Sequence, residues 1–231
     1  QNCGAYRDDG GSGPNFRLQP MRTRNAELGL RFDAGPVQGE ATLFRADTRD
    51  ELAVSESSGG RTAYRNVGRA RRAGAEAAVR FDFAERWQAR LGATWLDATY
   101  RDAVACSGPG CAATPTLPAG TRIPGVPRTQ AALSLRWGAP LGWYAQGEAL
   151  HVGGVSANLA GTDTAAGYTL LGASTGYAFR TARSEGRIYL AASNLADEAH
   201  IGSVIVNEAN RRYYEPGAGR AFTAGMELRW H

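Results

Sequence analysis

Apolar and polar residues alternate strictly at the end of this chain. From Phe222 to Trp230 every second residue is apolar, and the residues between them are polar or glycine. A two-residue period places successive side chains on opposite faces of an extended strand, whereas a helix would scatter the same residues around its axis. The pattern predicts a strand that has one apolar and one polar face and that ends on an aromatic side chain.

The same alternation recurs upstream and predicts nine strands in all. Their approximate ranges are 24–34, 36–55, 61–83, 87–101, 128–138, 142–153, 166–179, 186–197 and 220–230. Each range is at least as long as the roughly 9 to 11 residues that a tilted strand needs to cross the hydrocarbon layer of a membrane. A soluble β-sandwich, which would bury the apolar faces in its own core, shows the same alternation, so the period alone leaves that alternative open.

Three further features favour a transmembrane β-barrel. Aromatic residues collect at strand ends, where a barrel carries its interfacial girdle; these are Trp87, Trp137, Trp143, Phe179 and Trp230. The apolar positions are rich in alanine and leucine, with few of the bulky β-branched residues that a sandwich core would need. Tight turns at 84–86, 138–142 and 181–185 contrast with long loops at 102–127, 154–165 and 198–219, as periplasmic turns contrast with extracellular loops. We therefore predict an all-β, antiparallel transmembrane barrel.

Nine is an unusual number of strands, because single-chain bacterial barrels have an even number. Nine strands left open would expose two unpaired edges, and each unsatisfied backbone group in hydrocarbon costs several kcal/mol. The sequence also starts at Gln1 without a signal peptide, which an exported barrel requires. We expect residues 1–231 to be the C-terminal part, about nine to ten strands, of a larger barrel.

Arginine dominates the charged residues. The chain has 26 basic residues, none of them lysine, and 22 acidic ones, for a net charge of +4. A basic balance can indicate nucleic-acid binding, but these arginines are spread over every predicted strand among acidic residues. A charged barrel lumen explains them better, so we expect no nucleic-acid partner. No apolar run approaches the roughly 18 residues of a membrane helix.

Cys106 and Cys111 flank a Ser-Gly-Pro-Gly turn in the longest predicted loop. Such a turn can bring two cysteines within bonding distance, and an exported loop meets an oxidising compartment, so we predict a disulfide between them. Cys3 has no evident partner. The three histidines are scattered, no cysteine or histidine spacing predicts a metal site, and no Ser-His-Asp set stands out. We therefore expect neither an enzyme nor a bound cofactor.

Four ordered motifs resemble those of TonB-dependent outer-membrane receptors. Residues 66–76 (Asn-Val-Gly-Arg-Ala-Arg-Arg-Ala-Gly-Ala-Glu) resemble the family's N-x-G-x-A-x-x-x-G-x-E strand, and residues 123–128 (Ile-Pro-Gly-Val-Pro-Arg) resemble its G-x-x-I-P-x-x-P loop exit. Residues 190–197 are similar to the N-L-x-D penultimate strand, and residues 205–220 to the last extracellular loop with its E-P-x-x-G-R ending. The resemblance covers nearly the whole chain from Leu18 onward.

The residues of these motifs also have structural roles that follow from their chemistry. Gly68 and Gly74 lack a side chain where neighbouring segments approach or a strand bends. Asn194 and Asp197 suit a strand end, because their side chains can bond nearby backbone and support a turn. Taken by themselves, such residues indicate a barrel and not a binding site.

The resemblance implies a receptor of the Gram-negative outer membrane that takes up a scarce nutrient: a ferric siderophore first, and otherwise a cofactor such as pyrroloquinoline quinone, haem or cobalamin. It also implies a 22-stranded barrel filled by an N-terminal plug. Through that plug the receptor would couple to the TonB complex, while its wall would contact outer-membrane lipid and its C-terminal strand the barrel assembly machinery. We expect the plug to lie outside residues 1–231. A passive porin or an autotransporter barrel is the remaining alternative and would lack the four motifs.

The last long loop holds the candidate ligand contacts. Asn207, Arg211, Arg212, Tyr213 and Tyr214 combine amide, cationic and aromatic groups. Arginine suits carboxylate or catecholate oxygens, and tyrosine can stack on a flat ligand. We predict these five residues as substrate-binding, with a solvated or plug-facing segment as the alternative.

Overall fold

The computed structural model describes residues 17–112 and 116–230, and Cys3 lies outside them. In the described part, no helix is long and apolar enough to cross a membrane. The strands are β1 (Arg22–Ala34), β2 (Val37–Arg49), β3 (Glu51–Ser58), β4 (Arg61–Val67), β5 (Ala70–Phe83), β6 (Trp87–Tyr100), β7 (Val104–Ala105), β8 (Thr116–Leu117), β9 (Thr129–Gly138), β10 (Gly142–Val152), β11 (Val155–Ser156), β12 (Thr164–Ala165), β13 (Tyr168–Arg180), β14 (Ser184–Ser193), β15 (Ile201–Val204), β16 (Tyr214–Pro216) and β17 (Ala221–Trp230). The described chain is therefore all-β.

Nine of these strands form one antiparallel sheet, in the order β1-β2-β5-β6-β9-β10-β13-β14-β17, and we call this sheet the wall. Each wall strand pairs with the next long strand of the chain, so the sheet is an up-and-down meander. Short turns join the strands at one end, as at Gly35 and Pro36 between β1 and β2, and long loops join them at the other. The prediction of nine antiparallel strands is confirmed.

The register of the wall collects apolar side chains on one face. Leu91 of β6 pairs with Val79 on one side and with Leu133 on the other. Large side chains on this face are exposed, since Leu28 keeps 73% and Phe222 76% of its surface accessible. A sandwich would have buried them in its core, so the soluble alternative does not describe this sheet. We call this apolar face the outer face and the polar face the inner face.

Aromatic rings line the outer face near the short turns. Trp87 pairs with Trp137, and the Phe83 ring stacks on the Trp87 ring with centroids 6.1 Å apart. Trp143 contacts Tyr177 edge-on, with centroids 5.4 Å apart. The predicted aromatic residues therefore lie together at one end of the wall.

Tyrosines on the inner face lie over glycines of neighbouring strands. Gly176 pairs with Tyr189 on β14, and Tyr189 pairs in turn with Gly225 on β17. Tyr144 pairs with Gly176 from the other side, and a Cβ on Gly176 would come within 2.7 Å of the Tyr144 hydroxyl oxygen. Glycine leaves room for these rings, which in turn cover backbone that a glycine strand would expose.

Two of the predicted strands are too long. The ranges 36–55 and 61–83 are each divided, the first between β2 and β3 and the second between β4 and β5. Asp50 takes a left-handed conformation, with φ of 55°, at the first break. Beyond it β3 and β4 form a separate hairpin outside the nine-stranded sheet, and Ser57 of β3 also bridges to Glu208. The predicted ranges run through both breaks, although the first lies in an unbroken polar run from Asp47 to Glu51.

Gly68 marks the second break and needs to be glycine. A Cβ at this position would collide with the Asp102 carboxylate. That carboxylate accepts hydrogen bonds from the Arg69 amide at 2.7 Å and from its guanidinium at 2.6 Å. Gly74 is equally constrained, because its Cβ would come within 2.7 Å of the Phe44 ring. Both motif glycines therefore stand where neighbouring segments approach closely, as predicted.

The buried core of the molecule lies at the long-loop end of the wall. It contains Ala53, Val67, Ala70, Tyr100, Val104, Leu117 and Leu159, with Cys106 and Ile123 packed against it. These side chains come from the β3-β4 hairpin, from the adjoining ends of β5 and β6, and from two loops. We call the segments 50–69, 101–128, 153–167 and 194–220 the cap.

Candidate functional site in the cap

Asn207 anchors the last long loop to the rest of the cap. It is fully buried, and its amide group donates to the Val54 carbonyl at 2.6 Å and accepts from the Leu159 amide at 3.0 Å. Its backbone forms further hydrogen bonds of 3.0 Å with Ser57 and with Ala157. Its left-handed backbone, with φ of 54°, is one that asparagine adopts more readily than most residues. Asn207 therefore pins the last loop to two other segments of the cap.

Tyr213 is buried as well, with 1% of its surface exposed. Its hydroxyl lies 3.5 Å from the side-chain nitrogen of Asn158, which also donates to Thr162 and Asp163 at 2.8 Å. Asn158 accepts in return from the Thr162 amide at 3.0 Å. The structure thus places Asn207 and Tyr213, two of the five predicted ligand residues, inside the cap, where they hold loops together.

The other three predicted residues, Arg211, Arg212 and Tyr214, are exposed on the cap surface. A turn at Glu208 presents the two arginines, because the Glu208 carboxylate accepts from the backbone amides of Asn210 and Arg212, each at 2.8 Å. The Arg212 amide is the main reason why the pKa of Glu208 lies below its ordinary value. Glu208 therefore shapes this turn as an ionised carboxylate.

The arginine pair has the chemistry of an anion site. Within the described ranges, neither Arg211 nor Arg212 has a carboxylate within 4 Å of its guanidinium. The Tyr214 ring stands edge-on to that of Tyr213, with centroids 5.9 Å apart. Guanidinium groups bind carboxylate or phosphate oxygens with two parallel hydrogen bonds, and an aromatic ring stacks on flat groups. This strip of surface can therefore hold an anionic ligand that has a flat part.

A disulfide joins Cys106 and Cys111, whose Cα atoms lie 5.3 Å apart. The loop that it closes contacts the rest of the cap, since Ser107 donates to the Ser55 carbonyl at 3.2 Å. A Cβ on Gly108 would lie 3.5 Å from the Asn207 side chain. The bridge therefore stiffens a loop that packs against the same anchor as the last long loop.

Two of the sequence motifs meet where the last loop returns to the wall. Asn194 donates to the carbonyls of Glu198 and Ala218, at 3.0 and 3.1 Å, and accepts from the Glu198 amide at 2.8 Å. Asp197 accepts from the Arg220 amide at 2.8 Å. Both Asn194 and Asp197 have left-handed backbones, with φ of 47° and 55°. The N-L-x-D motif therefore clamps the entry into β17 and serves architecture, as its residue types predict.

The inner face of the wall forms a trough with a volume of about 1090 Å³. Arg80, Arg90, Ser134 and Glu148 contribute to its lining from four wall strands. Among residues 17–112 and 116–230, no three His, Cys, Asp or Glu side chains come together as a metal site. The trough thus offers charged and hydroxyl groups to whatever occupies the inner side of the wall.

Sequence reasoning missed the side chains that shape this site, Asn158 and Glu208. Asn158 opens the stretch Asn-Leu-Ala-Gly-Thr-Asp at 158–163, whose Asn, Gly, Thr and Asp residues are typical of turns closed by side-chain hydrogen bonds. That composition was a usable signal for a turn. It carried no information on the contact with Tyr213, which lies 55 residues away.

Comparisons with known proteins agree with this architecture. The family described as "TonB dependent receptor-like, beta-barrel" matches residues 4–195. The chain is similar to the closed form of the ferric-catecholate import receptor Fiu from E. coli K12, with 20% identity and a TM-score of 0.66 over 98% of this chain and 30% of that one. For BauA, the ferric preacinetobactin receptor from Acinetobacter baumannii, the identity is 21% and the TM-score 0.66, over 97% of this chain and 31% of that one.

A third similar structure is the copper transporter OprC, with 18% identity and a TM-score of 0.68 over 96% of this chain and 33% of that one. At such identities the similarity shows the fold alone. The chain spans about a third of the length of these three structures.

Proposed function

Because the chain belongs to the TonB-dependent receptor β-barrel family, we propose that it supplies part of the wall and of the extracellular cap of a receptor that imports a scarce nutrient, with a ferric siderophore as the leading ligand class. The family consists of transport receptors of the Gram-negative outer membrane and not of enzymes. The observation that carries the ligand class is the exposed pair Arg211 and Arg212, which the exposed Tyr214 follows in the same loop. The guanidinium groups suit the anionic oxygens of a catecholate complex, and the tyrosine ring suits its aromatic parts.

In this proposal the buried and exposed residues of the last loop have different roles. Arg211, Arg212 and Tyr214 contact the ligand, whereas Asn207 and Tyr213 position the loop from inside the cap. Glu208 keeps both guanidinium groups on one turn, because its carboxylate binds the backbone amide of Arg212. Ligand affinity therefore depends on the loop being held as well as on the charges that it presents.

The remaining partners follow from the wall. We propose that the outer face contacts outer-membrane lipid, that the edges of β1 and β17 pair with further strands of a 22-stranded barrel, and that the strand ending at Trp230 contacts the barrel assembly machinery. An N-terminal plug outside residues 1–231 would occupy the inner trough and couple the receptor to the TonB complex. Among the described residues β1 and β17 each leave one edge of the sheet unpaired, which supports the need for more strands, because open edges are costly in hydrocarbon.

A cofactor ligand is the second candidate. Pyrroloquinoline quinone carries carboxylates on a flat ring system and would use the same arginine pair and the same tyrosine. Haem and cobalamin are larger members of this candidate class. Since the charges alone do not separate these ligands from a ferric siderophore, the binding experiment has to compare them directly.

The test is ligand binding by the intact receptor that carries this chain, purified in detergent. Quenching of its tryptophan fluorescence is measured during titration with a ferric catecholate siderophore, pyrroloquinoline quinone, haem and cobalamin. We expect the ferric siderophore to bind most tightly. The double variant R211Q/R212Q should then bind it about tenfold to a hundredfold more weakly, because charged hydrogen bonds contribute about 1.5 to 3 kcal/mol each and exposure to water reduces that value.

The matched control is R86Q/R183Q, which removes two arginines from the short-turn end of the wall and should leave binding unchanged. Equal losses in both double variants would mean that net charge, and not the Arg211 turn, determines affinity. Tight binding of a cofactor without binding of the ferric siderophore would replace the ligand class while retaining the site.

A further inference from the structure

Five arginines point outward at the cap end of the first three wall strands. Cross-strand pairing puts Arg45 in line with Ala26 and Ala73, on the same face as Leu43. Arg24 and Arg71 flank Asp47 in the next row, and Arg22 faces Arg49 in the row beyond. We call Arg22, Arg24, Arg45, Arg49 and Arg71 the outer arginine patch. It continues the apolar outer face of the wall and is separate from the arginine pair of the candidate ligand site.

The patch has more positive charge than the protein neutralises. Asp47 accepts from Arg45 and from Arg71, each at 2.7 Å, so one carboxylate serves two guanidinium groups. In the described chain, Arg22, Arg24 and Arg49 have no carboxylate within 4 Å. Three acidic groups of adjoining segments are already paired elsewhere, since Asp97 pairs with Arg128 at 3.3 Å, Asp102 with Arg69 at 2.6 Å and Glu51 with Arg72 at 2.8 Å.

The direct pairing of Arg22 with Arg49 is unfavourable in isolation. Like charges opposite each other on neighbouring strands destabilise a sheet. An anion seated between the two guanidinium groups would reverse the sign of this interaction. Phosphate suits the position, because its oxygens accept parallel hydrogen bonds from the planar fork of arginine.

The position of the patch along the membrane normal indicates the source of that anion. Leu28, Leu43, Ala75 and Trp95 form one cross-strand row of the outer face. From Trp95 to Trp87, at the other end of β6, the strand covers about 27 Å at roughly 3.4 Å per residue. At a tilt of about 40° this is about 20 Å of membrane depth, close to the roughly 25 Å apolar band of such barrels. Arg45 stands two residues beyond Leu43, where the headgroups of the outer leaflet begin.

We propose that the outer arginine patch binds the phosphate groups of anionic lipids in the outer leaflet. The proposal rests on the proposed lipid contact of the outer face and not on the identity of the transported ligand. The apolar row with Leu28 and Leu43 packs against the acyl chains, and the arginines above it hold the headgroup. The patch thereby fixes lipid to one sector of the wall.

Lipid retention by the intact receptor tests this. The receptor is purified in detergent, phosphatidylglycerol is added in steps, and native mass spectrometry counts the lipids that remain bound. R24Q/R49Q removes two arginines without breaking an ion pair of the described chain. At about a fivefold loss per arginine removed near an anionic headgroup, we expect apparent phosphatidylglycerol affinity to fall about 25-fold. R24K/R49K, which keeps the charge, should retain most of the binding.

The matched control is R90Q/R136Q, which removes two arginines from the inner face and should retain phosphatidylglycerol as the wild type does. A heat-modifiability gel verifies that all variants are folded. Phosphatidylglycerol affinity of R24Q/R49Q equal to that of the wild type would overturn the proposal. So would displacement of the lipid by an equal concentration of inorganic phosphate, because the patch would then be a site for free anions. Unchanged siderophore binding in R24Q/R49Q would separate this inference from the ligand site.

Discussion

The wall and the cap place their apolar side chains in opposite ways. On the wall, Leu28 and Phe222 keep about three quarters of their surface exposed, whereas in the cap Val104 and Leu159 keep 2% each. The cap therefore contains its own core, while the wall depends on its surroundings to cover its outer face. One chain thus combines a sheet that exposes its apolar side chains with loops that bury theirs, and the long loops mark the change between them.

The wall and the cap also differ in how their hydrogen bonds are made. Between its two edge strands the wall satisfies its backbone through continuous cross-strand pairing. The cap relies more on single side chains, such as Asn207, that bridge segments far apart in sequence. A wall mutation should therefore act through the face on which it falls, and a cap mutation through the particular partners it removes.

Replacing Leu91 with arginine is expected to have the largest effect. The new cation would stand on the outer face between Val79 and Leu133, and a cation at the bilayer midplane of a barrel costs roughly 2 to 4 kcal/mol. Thr94→Arg puts the same charge on the inner face beside Glu76, where it should be tolerated. The measurement is the folded fraction of the intact receptor in a heat-modifiability gel. Similar folded fractions for both variants would mean that the two faces of the wall do not differ in this way.

Asn207→Ala is expected to loosen the cap and leave the wall intact. The substitution leaves the buried Leu159 amide without its partner, at a cost of about 1 to 3 kcal/mol, and also removes the hydrogen bond to the part-buried Val54 carbonyl. Hydrogen exchange of the Leu159 amide should accelerate, while exchange in the wall strands stays unchanged. Asn210→Ala, on the exposed part of the same loop, is the control. Unaltered protection at Leu159 would contradict the anchoring role of Asn207.

The smallest predicted effect is a pH response confined to the cap. Because the pKa of Glu208 is lowered in the folded protein, its stabilising contribution is fully present above its ordinary value of 4.5 and is lost as the pH falls through the folded value. Backbone amides of the Arg211 turn should exchange faster below about pH 4.5, and those of the wall should not. In Glu208→Gln this acid-dependent step should vanish. A step of equal size in that variant would assign the response to another group.

The faces and the number of wall strands could be predicted because membrane burial imposes a two-residue period that survives in the sequence. Leu91 and Leu133 reveal their face by position alone. The strand breaks at Asp50 and Gly68 were missed, because a polar run such as Asp47 to Glu51 does not by itself distinguish a break from a strand that extends beyond the membrane. Nor does composition separate a residue that binds ligand from one that binds the protein. Asn207 and Tyr213 have suitable chemistry for a ligand, yet their partners come from loops about 50 residues or more away.

The glycines beneath Tyr144 and Tyr189 help to fix the register of the last strands. A slip by one residue between β13 and β14 would bring Tyr189 opposite a residue that carries a Cβ and would also turn its ring to the other side of the sheet. A hairpin in the wrong register is therefore disfavoured by steric overlap even before the next strand has paired with it. Gly176 and Gly225 thus favour the correct register of this sector because they carry no side chain.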